Sequence, residues 1–176
     1  MVEQAGYPYV EGSHGIPFFA MEEGESLEII GGSGQVLSYY ALPDTLYVFD
    51  PQEVLRNSLL AIASNGKLLL TLFPSPDGLH DTPRHPDLYA KRFIDVALAH
   101  FKKHGIKIDK HVSDWPSWTE NYRQYERLIA QGADDEYAVN HTWIGKTLKE
   151  RGFLPAVASD IQRNSKTMHV TYPKEA

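Results

Sequence analysis

The chain has 176 residues, 42% hydrophobic and 23% charged, with no cysteine and a formal net charge of −6. That length and apolar content can build a core without staples, and the missing cysteines exclude disulfides, thiolate catalysis and zinc held by sulfur. The acidic balance counts against nucleic-acid binding, which needs a cationic face to displace counterions. The nearest approach to a basic cluster, Lys102-Lys103 with Lys107 and Lys110, stands beside acidic residues. Met1–Val10 shows no leader pattern, and no apolar run reaches the ~20 residues of a membrane span. A cytoplasmic location without membrane contact is therefore expected.

In chain order, residues 1–16 carry Gly, Pro and Tyr without period and read as an irregular arm. Residues 17–176 read as a single domain. Extended segments are predicted at Pro17–Met21, Leu27–Ile30, Gln35–Leu42 and Thr45–Phe49, with a hairpin turn at Gly31–Gly34. Asp50-Pro51-Gln52-Glu53 has the cap, the N1 proline and the N3 acid of a helix start. Leu55, Leu59 and Ile62 follow at helical spacing, and Asn65-Gly66 supplies a stop. The rival reading is a hairpin, Leu59–Ala63 against Leu68–Thr71, turning on the same Asn-Gly. The helix is preferred because its start signal is complete. Lys67–Phe73 reads as a buried strand.

Pro74–Pro86 is a proline-rich loop of the length that often carries function. Asp87–His104 is an amphipathic helix, with Ala90, Phe93, Ile94, Ala97, Leu98 and Phe101 on one face. Gly105 ends it, and Ile106–Val112 alternates as a half-buried strand. Ser117-Trp118-Thr119-Glu120 reads as a capping box opening a helix with Trp118, Tyr122, Tyr125 and Ile129 on one stripe. Gly132 stops that helix, and Asp134 or Asp135 caps the next, whose stripe is Tyr137, His141, Ile144 and Leu148. Gly152 stops it, with Phe153 packing back. Strands at Ala156–Ile161 and Thr167–Tyr172 close the chain as a hairpin. The fold class is α+β, largely antiparallel, with helices packed on the sheet. Its central alternation of strands and helices allows one parallel pair.

Four residues are candidates for chemistry. His80, Arg84 and His85 lie with three carboxylates in the eleven residues Asp77–Asp87. Histidines titrate near neutrality, and the arginine fork suits a phosphate or carboxylate. His141 joins them from a turn rich in polar and aromatic groups. The plainer reading makes the loop histidines solvated and His141 a core residue with a hydrogen-bond partner. Gly145, costly inside a helix, marks a close approach of another element or of a ligand. His100 and His104 have the four-residue spacing of a metal pair, but no carboxylate completes the set, so no metal or other cofactor is assigned. Gly31–Gly34 lacks the Lys-Ser/Thr of a phosphate loop, and no nucleophile elbow or His-Glu-x-x-His occurs.

Without a catalytic motif, the acidic balance, small size and surplus of aromatics lead to a protein-binding role. An inhibitor or immunity-type module covering a basic protein partner fits them. The alternative is a hydrolase or nuclease-like enzyme using His80, His85, Arg84 and His141 in acid–base chemistry. Oligomeric state is not encoded in any pattern found.

Overall fold

The computed structural model of the chain describes residues 9–11, 17–19, 25–30, 36–49, 58–73, 90–164 and 166–175. Among them, mostly antiparallel strands and four α-helices give the α+β class expected. The chain divides into two compact units, Met1–Ser64 with Leu70–Lys107, and Asn65–Leu69 with Ile108–Ala176. No helix among the described residues is long and apolar enough to cross a membrane.

In the first unit, β1 (Tyr9–Glu11) and β2 (Pro17–Phe19) pair antiparallel, with Tyr9 opposite Phe19. Tyr9–Glu11 is thus a strand inside the arm expected to be irregular. β3 (Glu25–Ile30), β4 (Val36–Leu42), β5 (Thr45–Phe49) and β6 (Ser58–Ser64) follow as an antiparallel meander in that order. The register sets Ala41 opposite Leu46, Leu46 opposite Ala61 and Val48 opposite Leu59. All five are buried, while Tyr47, Leu60 and Ile62 between them are only partly so. This is the period-two burial of a sheet with one face on a core. The helix α1 (Ala90–Lys103) contributes Phe93, Ile94, Ala97 and Phe101 to that core, with Lys91, Lys102 and Lys103 exposed. His100, four residues from His104, is buried there. Its Nε2–H donates to Leu42 O at 2.6 Å, and burial lowers its pKa.

The helix expected over residues 50–64 does not extend through Ser58–Ser64, which is β6; residues 50–57 lie outside the described set. Leu59, Ala61 and Ala63 are buried in alternation, which a helical stripe would not produce. Asn65 (φ 50°) and Gly66 (φ 75°) both take left-handed conformations, the type I′ requirement of a two-residue hairpin. The rival hairpin reading is therefore the correct one, and β7 (Lys67–Phe73) leaves that turn. Asn-Gly read as a helix stop and Asn-Gly read as a hairpin turn use the same φ; strand-paired burial decides between them.

In the second unit, Lys67 and Leu68 pair in parallel with Lys110 and His111 of β8 (Lys110–Pro116). This is the parallel pair that the central alternation allowed. β8 begins later than Ile106, where alternation had placed it. The Ile106 N–H is spent on Phe101 O at the end of α1, and strand pairing becomes available only beyond it. β10 (Thr167–Pro173) lies between β8 and β9 (Ile161–Arg163), antiparallel to both. The first strand of the terminal hairpin, expected at Ala156–Ile161, is displaced to Ile161–Arg163, because Ala158–Asp160 form a 3-10 turn in which the Asp160 carboxylate accepts from the Val157 N–H at 3.0 Å. Its Met168, Val170 and Tyr172 are buried, together with Trp115 and His111 opposite. The helices α2 (Glu120–Ala130), α3 (Asp135–Asn140) and α4 (Trp143–Lys149) bury Tyr122, Tyr125, Val139, Ile144 and Leu148 with them.

His111 is fully buried in this unit. Its Nδ1 lies 2.8 Å from Leu68 O, an acceptor, so Nδ1 carries the proton and donates. Nε2 then accepts from the Ser113 hydroxyl at 2.5 Å. Burial pushes the histidine pKa down to about 4, against a smaller opposing effect of the Leu68 carbonyl. The unfolded chain, with an ordinary histidine, binds the proton first as pH falls. Stability due to this group is complete above about pH 6.5 and is lost as pH falls toward 4. The slope is at most about 1.4 kcal/mol per pH unit for one proton. Urea midpoints measured from pH 7.5 to 4.5 should fall with acid, and less steeply in His111→Asn, which keeps an N–H donor but does not titrate. Equal slopes in the two proteins would assign the acid sensitivity elsewhere.

Candidate functional site

His80, Arg84 and His85, the loop candidates, lie outside the described residues. The fourth candidate, His141, lies in the second unit, on the wall of a groove. The other lining residues come from nearby elements and were not singled out by sequence.

α2 forms one wall. Glu120, Gln124, Arg127 and Gln131 recur at three- and four-residue spacing, so they follow one another along one side of the helix. The expected capping box at its start is absent. Thr119 is the cap residue, but its hydroxyl donates to Pro116 O at 2.8 Å instead of serving the helix. Glu120, which that reading turned back on the cap, is buried, and its Oε1 pairs with Arg127 Nη2. Glu120 Oε2 is buried without a hydrogen-bond partner among the described residues. Arg127 remains 60% exposed at the surface, and its Nε–H reaches Arg123 O at 3.4 Å. A buried carboxylate beneath an accessible guanidinium holds the guanidinium in place while leaving donors for another acceptor.

The second wall comes from the α3–α4 reversal, expected as one continuous helix. Asp134 caps α3, its carboxylate accepting from the Tyr137 N–H at 2.7 Å, as the sequence indicated. The helix ends at Asn140. Thr142 then caps α4, accepting from Gly145 N–H at 3.3 Å and donating to Val139 O at 2.8 Å. The break separates the predicted stripe. Ile144 and Leu148 are buried, but Tyr137 and His141 are exposed, so His141 is not a core histidine. Tyr137 and His141 stack with ring centroids 3.7 Å apart and planes 14° from parallel. His141 Nδ1 lies 2.7 Å from Tyr137 O, an acceptor, so this nitrogen donates.

Gly145 marks a close approach of backbone. A Cβ there would sit 2.6 Å from Val139 O and 2.8 Å from Asn140 O. No rotation relieves a clash between a Cβ and fixed carbonyls, so the residue must be glycine. Among the two alternatives raised by sequence, the approach is by another element. Gln124 joins the two walls, its Oε1 accepting from the Trp143 N–H at 2.7 Å. The first amides of α4 are therefore occupied by Gln124, by Asn121 (3.4 Å from the Ile144 N) and by Thr142.

Between the walls is an open groove of about 340 Å³. Gln124, Arg127, Leu128 and Gln131 line one side, and His141, Trp143 and Lys146 line the other. The lining contains no carboxylate, hydroxyl or thiol nucleophile. It is rich in N–H donors, with Leu128 and Trp143 as its large apolar members. Trp118, placed on the α2 stripe by its spacing, precedes the helix and is 65% exposed, whereas Trp115 is buried.

A histidine–carboxylate pair also bridges two strands of this unit. His169 on β10 and Asp114 on β8 stand opposite one another, and His169 Nδ1 donates to Asp114 Oδ1. Both are substantially exposed, and Asn164 Nδ2 is 3.5 Å from His169 Nε2. No group of three histidines or carboxylates among the described residues is arranged to hold a metal ion. No known protein family, curated protein or solved structure matches the chain.

The reversal that sets the second wall yields a direct prediction. Gly145→Ala gains about 1 kcal/mol of helix propensity but forces overpacking that typically costs about 1–3 kcal/mol. Because a backbone must move, the loss should win, and Tm should drop by a few degrees in a thermal melt. A Tm at or above that of the parent would contradict the close approach.

Proposed function

We propose that the chain is a protein-binding module and that the groove between α2 and the α3–α4 reversal is its contact surface. The observation that carries this reading is the composition of the groove. It combines arginine and tryptophan, residue types that dominate binding hot spots, with a histidine stacked on Tyr137, and it has no carboxylate, hydroxyl or thiol. A volume of about 340 Å³ is at the small end for ligand sites, and its open form favours a short segment of a partner over an enclosed substrate. The inhibitor or immunity-type reading belongs to the same class.

The sign of the partner follows the groove and not the whole chain. The net charge of −6 speaks for a basic partner, yet the charged side chains lining the groove are Arg127 and Lys146. The acid–base alternative retains one supporting feature, the exposed imidazole of His141 at the groove.

Selection of a displayed random-peptide library on the immobilised full chain tests the proposal. Enriched peptides should bind the parent and lose roughly tenfold or more in affinity to Trp143→Ala, as a central aromatic anchor would. His141→Ala, at an exposed position, is the companion variant least exposed to folding defects. The proposal fails if no sequence enriches, or if the enriched peptides bind both variants as they bind the parent.

A further inference from the structure

We infer that the groove recognises a carboxylate-bearing peptide segment, with an aliphatic side chain between or beside the acids; this rests on the protein-binding reading above. The polar lining is biased toward donors. Arg127 has five N–H groups, and the contacts to Glu120 and Arg123 O use two of them. Lys146 is exposed on the opposite wall, and Gln131 adds a further amide. A ligand complementary to this lining must bring acceptors. The α4 amides cannot supply the recognition, because Gln124, Asn121 and Thr142 already occupy them. The anion must therefore be met by side chains.

Three features favour a peptide carboxylate as the acceptor. The Arg127 guanidinium is tethered by a buried carboxylate, so little of its freedom remains to be lost when a second, planar carboxylate engages its fork. Glu120 also cancels much of the Arg127 charge, so the groove offers directed hydrogen bonds more than a strong positive field, which suits a singly charged carboxylate better than a phosphate dianion. Trp143 and Leu128 present apolar surface to the same space, which a free inorganic anion would leave uncovered but an aliphatic side chain would fill.

The test uses the full-length 15N-labelled chain and three probes: acetyl-Glu-Leu-Glu-amide, acetyl-Gln-Leu-Gln-amide and inorganic phosphate. The acidic peptide should shift the backbone amides of residues 124–131 and 141–146 along a saturable curve, and the neutral peptide should shift them far less. Lys146→Gln should weaken the acidic peptide roughly two- to fivefold, the range of a solvent-screened charge. The double variant Glu120→Gln/Arg127→Gln, which avoids stranding a buried charge, should abolish the preference for the acidic over the neutral peptide. Equal binding of both peptides overturns carboxylate recognition and leaves the protein-binding reading standing. Phosphate shifting the same amides as strongly as the acidic peptide assigns a free-anion site and overturns the inference. Silence from all three probes overturns the inference and removes the groove from the protein-binding reading.

Discussion

The second unit depends on one crowded carbonyl. Val139 O accepts hydroxyl protons from both Thr142, at 2.8 Å, and Tyr172, at 2.9 Å. Its two lone pairs are thereby used, at a point where α3 ends and a helix carbonyl would otherwise lack a partner. Gly145 lies against the same oxygen, close enough that no side chain fits. The three contacts fix where α3 stops, where α4 starts and how both meet β10. The Tyr172 phenol is driven above its ordinary pKa by burial, so it stays protonated as a donor through the physiological range. The groove is a product of this reversal, because the direction of α4 decides where Trp143 and Lys146 stand opposite Gln124.

Around that point the unit is held by side chains that act between elements. Tyr125 on α2 donates to Asp135 on α3 at 2.6 Å, and burial together with this acceptor pushes the phenol up to about 12. Arg163 lies 5.9 Å from the Tyr125 ring centre and reaches the Tyr122 hydroxyl at 3.4 Å. Asn140 binds Ala156 through both ends of its amide, accepting from its N–H at 2.9 Å and donating to its C=O at 2.8 Å. The apolar residues supply most of the burial, while these polar contacts choose one arrangement of short helices over others of similar burial.

The sequence disclosed local structure where one short-range rule acted alone. Gly105, Gly132 and Gly152 all have positive φ, and each ends a helix at the place its position in the pattern indicated. Phe153 packs back after Gly152, and Asp134 caps α3. Failure came where two rules competed. Around Asn65-Gly66, a complete helix-start pattern upstream outweighed the hairpin signal, although burial of Leu59, Ala61 and Ala63 in alternation belongs to a sheet. At Ser117–Glu120, the spacing of a capping box was present, but Pro116 O took the threonine hydroxyl and Arg127 took the glutamate. Of the groove, only His141 was legible as a candidate, and for a different environment. Gln124, Arg127 and Lys146 gave no signal, because their roles arise from the tertiary turn that brings α4 beside α2. Gly145 was the one residue whose local cost pointed to that turn.

Asn140 also gives the fold a chemical weak point. Its amide stands in for a missing strand, serving the Ala156 backbone as a neighbouring peptide group would. Hydrolysis of that amide to aspartate, the ordinary ageing reaction of asparagine, would leave the acceptor half of this bridge and delete the donor half. The Ala156 carbonyl would then face a carboxylate, and repulsion would replace the latch between α3 and the segment leading to β9. Change at one nitrogen would thus loosen the edge of the unit without altering a single apolar contact.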